Sequence, residues 1–150
     1  DEQAAVEATL SVIMAKLSGG NLIHDVGYME SGLTTSYEMI VLTDELVGMA
    51  DNLFKGIEVN ASTLMVDEIH KIGPGGSYLK SKTTRDHYRE FWFPGLLDRN
   101  RRQKWLEEGG TTLGARLNAR VKKILAEHQP EPLAPDKKKA IQAILAKASK

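Results

Sequence analysis

The residues whose types and spacing could do chemistry are concentrated in one short stretch near the start of the chain. A short apolar segment, residues 21–25, ends in a histidine–aspartate pair and leads into a polar loop that contains glycine. In an α/β barrel, the loop between a strand and the following helix is where active-site residues lie. The candidate residues here are His24, Asp25, Tyr28, Glu30, Ser31 and Thr34.

His24 is the first candidate, because it follows an apolar segment and precedes the polar loop. An imidazole in that position could donate a hydrogen bond to an anionic group of a substrate, or act as an acid or a base. The alternative is a structural histidine that is hydrogen-bonded to the backbone. Spacing alone leaves both interpretations open.

The other loop residues indicate a site for a positively charged group. Asp25 and Glu30 lie close in sequence to Tyr28, and carboxylates together with an aromatic face favour a quaternary ammonium. Each carboxylate could instead accept hydrogen bonds from nearby backbone N–H groups. Ser31 and Thr34 could bind a substrate or cap a helix, and capping is the expectation for Thr35.

Apolar spacing predicts about seven helices and one or two strands. Residues 2–18 form a helix with Val6, Leu10, Ile13 and Leu17 on one face, and residues 21–25 form either a buried parallel strand or a buried helical turn. A helix capped by Thr34, Thr35 or Ser36 runs to about residue 55. Later helices are expected after Asn60, near residue 83, after Asp98 or Asn100, after Thr111 and from Pro135.

Several apolar residues of these segments should be packed. The inward positions are Tyr37, Ile40, Val41, Leu46, Met49, Ala50 and Leu53 in the second helix, then Leu64, Met65, Ile69 and Ile72, then Leu113, Leu117, Val121 and Ile124, and finally Ile141, Ile144 and Leu145. The run Phe91-Trp92-Phe93 must also pack against something, since three exposed aromatic residues in a row are costly.

The 150-residue composition is that of an ordinary globular protein, with 41% hydrophobic and 27% charged residues. The absence of cysteine excludes disulfides and thiolate metal sites. No membrane span or signal peptide is evident, so the expected location is the cytoplasm.

The zero net charge hides a strong asymmetry, because residues 1–75 carry −9 and residues 76–150 carry +9. The basic residues have no interleaved aromatics, which argues against nucleic-acid binding.

Two further motifs resemble functional sites and are better explained otherwise. Residues 73–76, Gly-Pro-Gly-Gly, follow a helix and lack the Gly-Lys-Ser/Thr ending of a phosphate loop, so they are expected to stop the helix. His70 with Asp67, and His87 with Asp86 and Glu90, match no strong metal-ligand motif. No metal site is therefore predicted.

With these residues in view, the chain resembles the C-terminal part of the trimethylamine methyltransferase family. The most specific matching segment is LIHDVGYMESGL, residues 22–33. Supporting segments, in the expected order, are QAAVEATLSVIMAKLSGGN, TTSYEMIVLTDELVGM, FKGIEV, IGPGGSYL, FWFPGLLDR and AEHQPEPL. Together they span nearly the whole chain.

The resemblance implies a (β/α)8 barrel, much longer than this chain, that moves a methyl group from a tertiary or quaternary amine to the cobalt of a cognate corrinoid protein. Some members contain pyrrolysine and act on trimethylamine, whereas others act on substrates such as glycine betaine. The pyrrolysine position would lie just before Asp1. His24 is matched to a substrate-pocket histidine of the family, and Asp25, Tyr28, Glu30 and Ser31 share its loop.

The resemblance therefore implies a C-terminal fragment of such an enzyme, mainly α-helical as an isolated chain. Residues 1–76 would be the final βα part of the barrel and residues 77–150 a helical extension. The fragment is expected to bind no cofactor itself, to be inactive alone, and to self-associate through exposed apolar faces. The alternative function is a non-catalytic helical module that docks a corrinoid protein through residues 76–150.

Overall fold

The computed structural model describes residues 1–148, and this part of the chain is mainly helical, as expected. Its α-helices and strands, in chain order, are α1 Glu2–Leu17, β1 Tyr28–Met29, β2 Thr34–Thr35, α2 Tyr37–Phe54, α3 Ala61–Leu64, α4 Val66–Ile72, α5 Lys82–His87, α6 Arg102–Glu107, α7 Leu113–Glu127 and α8 Pro135–Ala148. Short 3-10 helices span Glu30–Gly32 and Tyr78–Lys80.

The core lies along α2, which packs against α1 on one side and α7 on another. Leu42 and Leu46 of α2 are buried with Leu117 of α7. The predicted inward face of α7 is confirmed, since Leu117 and Val121 are buried and Leu113 and Ile124 are half-buried.

Side-chain hydrogen bonds add specificity to this packing. The Asn118 amide of α7 donates to the Glu38 carboxylate of α2 at 2.8 Å. The backbone N–H groups of Leu96 and Leu97 donate to Glu45 Oε1 at 2.8 and 3.1 Å. These contacts join segments far apart in the chain.

Side-chain caps set the starts of the long helices. Asp1 accepts from the backbone N–H of Ala4, and Ser36, one of the three predicted caps, accepts from that of Met39. Thr112 caps α7, so the prediction of Thr111 was wrong by one residue. Thr111 instead uses its carbonyl to accept a hydrogen bond from the Trp105 indole at 2.9 Å.

The predicted apolar face of α1 is only partly correct. Val6, Leu10 and Leu17 are exposed, and Ile13 is half-buried. Contact with α2 uses Ala5 and Ala8, while Val12 is buried. Small side chains let the two helices approach closely, so this side of α1 packs and the larger apolar side chains face outward.

Residues 21–25 form neither a strand nor a helical turn, and Leu22 is 85% exposed. A strand needs a hydrogen-bonded neighbour, and within residues 1–148 no segment pairs with this one. The observed sheet is a small antiparallel hairpin that follows, with Tyr28 opposite Thr35 and Met29 opposite Thr34.

The predicted third helix is two helices. Asn60 caps α3 in a capping box with Thr63, but Met65 takes a left-handed backbone conformation with φ of 51° and separates α3 from α4. Gly73 ends α4 as predicted. Leu64 and Ile69 are exposed, whereas Met65 and Ile72 are half-buried.

Several other apolar side chains that were predicted to be packed are exposed in this chain. Trp92 lies against Gly48 of α2, yet the neighbouring Phe91 and Phe93 are exposed. Among the predicted inward positions, Tyr37, Ile40, Leu53, Ile141, Ile144 and Leu145 are exposed too. Across the described residues, the helices are too short or too polar for any of them to span a bilayer.

Candidate functional site

A cavity of about 400 Å³ lies between the first half of α1, the loop that follows it and the start of α2. Helix α1 contributes Glu7, Ala8 and Val12, and α2 contributes Met39 and Thr43. The third wall is the continuous segment 23–30, which holds most of the predicted site. The site is therefore a polar loop laid over a helical scaffold.

The hairpin attaches this loop to the start of α2. The Gly27 carbonyl accepts hydrogen bonds from the Thr35 hydroxyl and the Ser36 backbone N–H, both at 3.0 Å. Gly27 has a φ of +82°, and a Cβ added there would lie 2.3 Å from Cγ1 of Ile40. Only glycine allows this close approach without a shift, so Gly27 sets the position of the wall.

Three non-glycine residues of the loop have left-handed backbone conformations: Asp25, Glu30 and Ser31, with φ of 66°, 52° and 54°. Such conformations are unfavourable for residues with a Cβ, although aspartate tolerates them better than most. They cluster at functional sites when the surrounding structure holds them in place. Here all three fall on predicted site residues.

The structure brings the predicted site residues together. His24, Asp25, Tyr28 and Glu30 all line the cavity. Ser31 lies outside it and lines an adjoining cavity of about 470 Å³, together with Asp25, Tyr28 and Glu30. Thr34 lines neither cavity, and its hydroxyl donates to Glu30 Oε2 at 3.3 Å.

The partner of His24 is a side chain. A structural histidine would instead be hydrogen-bonded to the backbone. Nδ1 of His24 lies 2.7 Å from Oδ2 of Asp25, and the two side chains are 79% and 57% exposed. Within residues 1–148, the ring is hydrogen-bonded to the Asp25 carboxylate and to no backbone group. The imidazole therefore remains accessible from the cavity.

The cavity wall is acidic. It includes the carboxylates of Glu7, Asp25 and Glu30 beside the ring of Tyr28, and among its described lining residues there is no lysine or arginine. Carboxylates attract a cation, and an aromatic face binds one through its quadrupole. The arrangement can hold a methylated ammonium group, whose charge is spread over its methyl groups.

Glu7 is a site residue that sequence reasoning missed. It lies on α1, lines both cavities and accepts a hydrogen bond from Gln3 Nε2 at 2.8 Å. Nothing near Glu7 in the sequence marks it, because it reaches the loop only when α1 and α2 pack together. The described residues hold no group of three or more histidine and acidic side chains arranged to bind a metal.

Comparisons with known proteins identify the family of the chain. The family model described as trimethylamine methyltransferase matches residues 1–150. A trimethylamine methyltransferase from Methanosarcina barkeri (strain Fusaro) is 36% identical over 150 residues, which is the whole of this chain and 30% of that protein. A glycine betaine methyltransferase from Desulfitobacterium hafniense (strain Y51) is 36% identical over 152 residues, the whole of this chain and 32% of that protein. The chain thus spans about a third of the length of these relatives, and it belongs to the trimethylamine methyltransferase family.

Proposed function

We propose that this chain is the C-terminal part of a methyltransferase that moves a methyl group from a tertiary or quaternary methylamine to the corrinoid of a partner protein. Substrates of the trimethylamine or glycine betaine type fit this proposal. The observation that carries it is the acidic cavity, where four carboxylates, from Asp1, Glu7, Asp25 and Glu30, and the Tyr28 ring lie around His24 in a chain of this family.

In this proposal the chain binds and orients the methylamine. Glu7 and Glu30 attract its positive nitrogen, Tyr28 contacts its methyl groups, and His24 binds a polar or anionic end. Enclosure of the substrate strengthens these interactions by excluding water. Positioning supplies much of the rate, since the methyl carbon must face its acceptor in line with the C–N bond.

The chemistry of the leaving nitrogen sets what else is needed. The C–N bond breaks with its electron pair on nitrogen, so a quaternary nitrogen leaves as a neutral amine without any acid. A tertiary amine must first gain a proton or another activating group. The corrinoid, carried by the partner protein, supplies a nucleophilic cobalt that accepts the methyl group, so this chain need hold no cofactor.

The amount of exposed surface supports a role within a larger protein. The chain exposes 12,752 Å². A compact monomer of its mass, 16.6 kDa, would expose roughly 7,600 Å². We propose that other parts of a (β/α)8 barrel cover the difference, with the exposed Leu22 and the outer face of α1 packed against their neighbours.

The proposal is tested by a methyl-transfer assay with the intact protein, by which we mean the full-length enzyme that contains this chain. The protein is incubated with a reduced corrinoid protein and with trimethylamine or glycine betaine, and methylation of the cobalt is followed by its absorption spectrum. We expect transfer from at least one of these amines. Glu7→Gln and Glu30→Gln should raise KM about tenfold, a loss of about 1.4 kcal/mol in binding, whereas Glu131→Gln, an exposed change outside the cavity, should not.

The second candidate function is a non-catalytic module that docks a corrinoid protein. The observation that favours it is the basic second half of the chain, with Lys137, Lys138 and Lys139 exposed on α8. Salt-sensitive binding of the corrinoid protein, without methyl transfer from either amine and unchanged by His24→Ala, would support this alternative and contradict the enzyme proposal.

A further inference from the structure

The hydrogen bond between His24 and Asp25 has a defined donor and a defined acceptor. Oδ2 of Asp25 lies 2.7 Å from Nδ1 of His24, and an ionised carboxylate can only accept a hydrogen bond. The proton of a neutral His24 ring must then be on Nδ1. A neutral imidazole carries one proton, so Nε2 is left with its lone pair.

The backbone holds Asp25 in the position that makes this contact. Asp25 has a left-handed φ of 66°, and its carbonyl accepts a hydrogen bond from the Tyr28 backbone N–H at 3.2 Å. This turn sets the carboxylate beside the ring of the preceding residue. Both side chains also line the same cavity, so the contact is made at its wall.

We propose that Asp25 is a positioning residue that acts through His24. It holds the ring in the Nδ1–H form and leaves Nε2 as the ring nitrogen that a ligand in the cavity meets. This inference rests on the proposed function, because it takes the methylamine as that ligand. It separates the roles of two adjacent residues: His24 touches the substrate, and Asp25 sets which form of His24 does so.

The consequence is a ring with two complementary uses. When His24 is neutral, Nε2 accepts a hydrogen bond, for example from the N–H of a protonated tertiary amine. When His24 is protonated, Nε2–H donates to an anionic group of a substrate such as a betaine carboxylate. The Asp25 carboxylate then stabilises the positive charge of the ring. In both cases Nδ1 stays bound to Asp25.

The chain contains a matched control outside the cavity. His87 Nδ1 lies 2.7 Å from Oε1 of Glu90, the same type of pair at the same distance, and these residues are 51% and 64% exposed. Glu90 lines neither of the two cavities of the candidate site, and His87 lies on α5. A change at Glu90 should therefore alter the form of His87 without affecting the proposed site.

The direct test is the tautomer of His24, read from imidazole 15N chemical shifts in the 150-residue protein at about pH 8.5, where an ordinary histidine is neutral. We expect the Nδ1–H form for His24 in the unmodified chain. In Asp25→Asn, whose side chain also tolerates the left-handed turn, the amide can donate to Nδ1 and the proton should move to Nε2. Glu90→Gln should change His87 alone. A His24 ring in the Nε2–H form before mutation, or one that Asp25→Asn leaves unchanged, would overturn the proposal.

The same variant is then assayed in the intact protein. Asp25→Asn should lower kcat/KM for methyl transfer at least about tenfold, as expected when a ring is held in the wrong tautomer, and Glu90→Gln should not. Asp25→Gly keeps the left-handed turn without any partner for Nδ1 and should also lose activity. Full activity of both Asp25 variants would overturn the positioning role. Absence of transfer by the unmodified protein would overturn the proposed function and leave the tautomer result to decide the positioning role.

Discussion

The helical core and the loop of residues 19–36 differ in how their conformations are stabilised. In the core, Leu42, Leu46 and Leu117 are buried together, and hydrogen bonds such as Asn118 to Glu38 join distant segments. The loop has an exposed Leu22, and it depends on glycines and on three left-handed non-glycine residues. The difference separates a scaffold that is packed within the chain from a binding wall whose side chains remain available to a ligand.

Leu46→Ala should produce the largest change in stability. Leu46 is 5% exposed in the core, so the substitution leaves a cavity and should lower the free energy of unfolding by about 3 kcal/mol. The matched change in the loop, Leu22→Ala, should alter it by less than about 0.5 kcal/mol in this chain. Urea denaturation of the two variants measures both values. Equal losses would contradict the distinction between core and loop.

Gly27→Ala tests the junction between the two regions. The new Cβ would combine an unfavourable left-handed φ with a clash against Ile40, so we expect a loss of about 2–3 kcal/mol. Gly56→Ala is the control, since Gly56 also has a positive φ of 71° but no atom within 4 Å of the added Cβ. It should cost about 1 kcal/mol in the same denaturation experiment. A Gly27 variant no less stable than the Gly56 variant would show that the close approach to α2 is absent.

Glu45→Gln tests a polar contact within the scaffold. Glu45 Oε1 accepts two backbone N–H groups, from Leu96 and Leu97, and hydrogen bonds to a charged acceptor are stronger than those to a neutral one. The neutral amide keeps the shape of the side chain but removes the charge of the acceptor. The expected loss is therefore about 1 kcal/mol in the free energy of unfolding. Amide hydrogen exchange at Leu96 and Leu97 should become faster. Unchanged exchange at both residues would mean that the contact does not form.

The smallest effect concerns pH. The Asn118 amide, with the Glu38 backbone N–H and the Ser36 hydroxyl, holds the pKa of the Glu38 carboxyl below its ordinary value of 4.5. A lowered pKa in the folded state stabilises the fold above pH 4.5, and this contribution is lost as the pH falls through the lowered value. Asn118→Ala removes the largest cause. An NMR titration should therefore show a higher pKa for Glu38 in this variant, and a control change on α8, Gln142→Ala, should leave it unchanged.

Local patterns predicted the helices well because caps and apolar spacing act over a few residues. Ser36, Asn60 and Pro135 begin helices as expected, and Gly73 ends one. The sequence alone did not indicate which side of each helix packs against another helix. The inward side of α1 is defined by Ala5 and Ala8 because α2 approaches closely there, and the larger Val6 and Leu10 point away.

The candidate site shows the same difference between local patterns, which the sequence reveals, and packing partners, which it does not. His24, Asp25, Tyr28, Glu30 and Ser31 could be predicted as candidates because they are neighbours in one polar loop. Glu7 was missed because only the packing of α1 brings it to that loop. The expected strand at residues 21–25 depends on a partner strand, and within residues 1–148 no segment supplies one.

The central claim is that the loop cavity binds the methylamine through His24, and one pair of variants tests it most directly. In the intact protein, His24→Ala should slow methyl transfer to the corrinoid protein at least about tenfold, which corresponds to about 1.4 kcal/mol of transition-state stabilisation. His87→Ala removes a histidine with a similar carboxylate partner outside the cavity and should leave the rate unchanged. An unchanged rate for His24→Ala, with a folded variant and an active parent protein, would contradict the account.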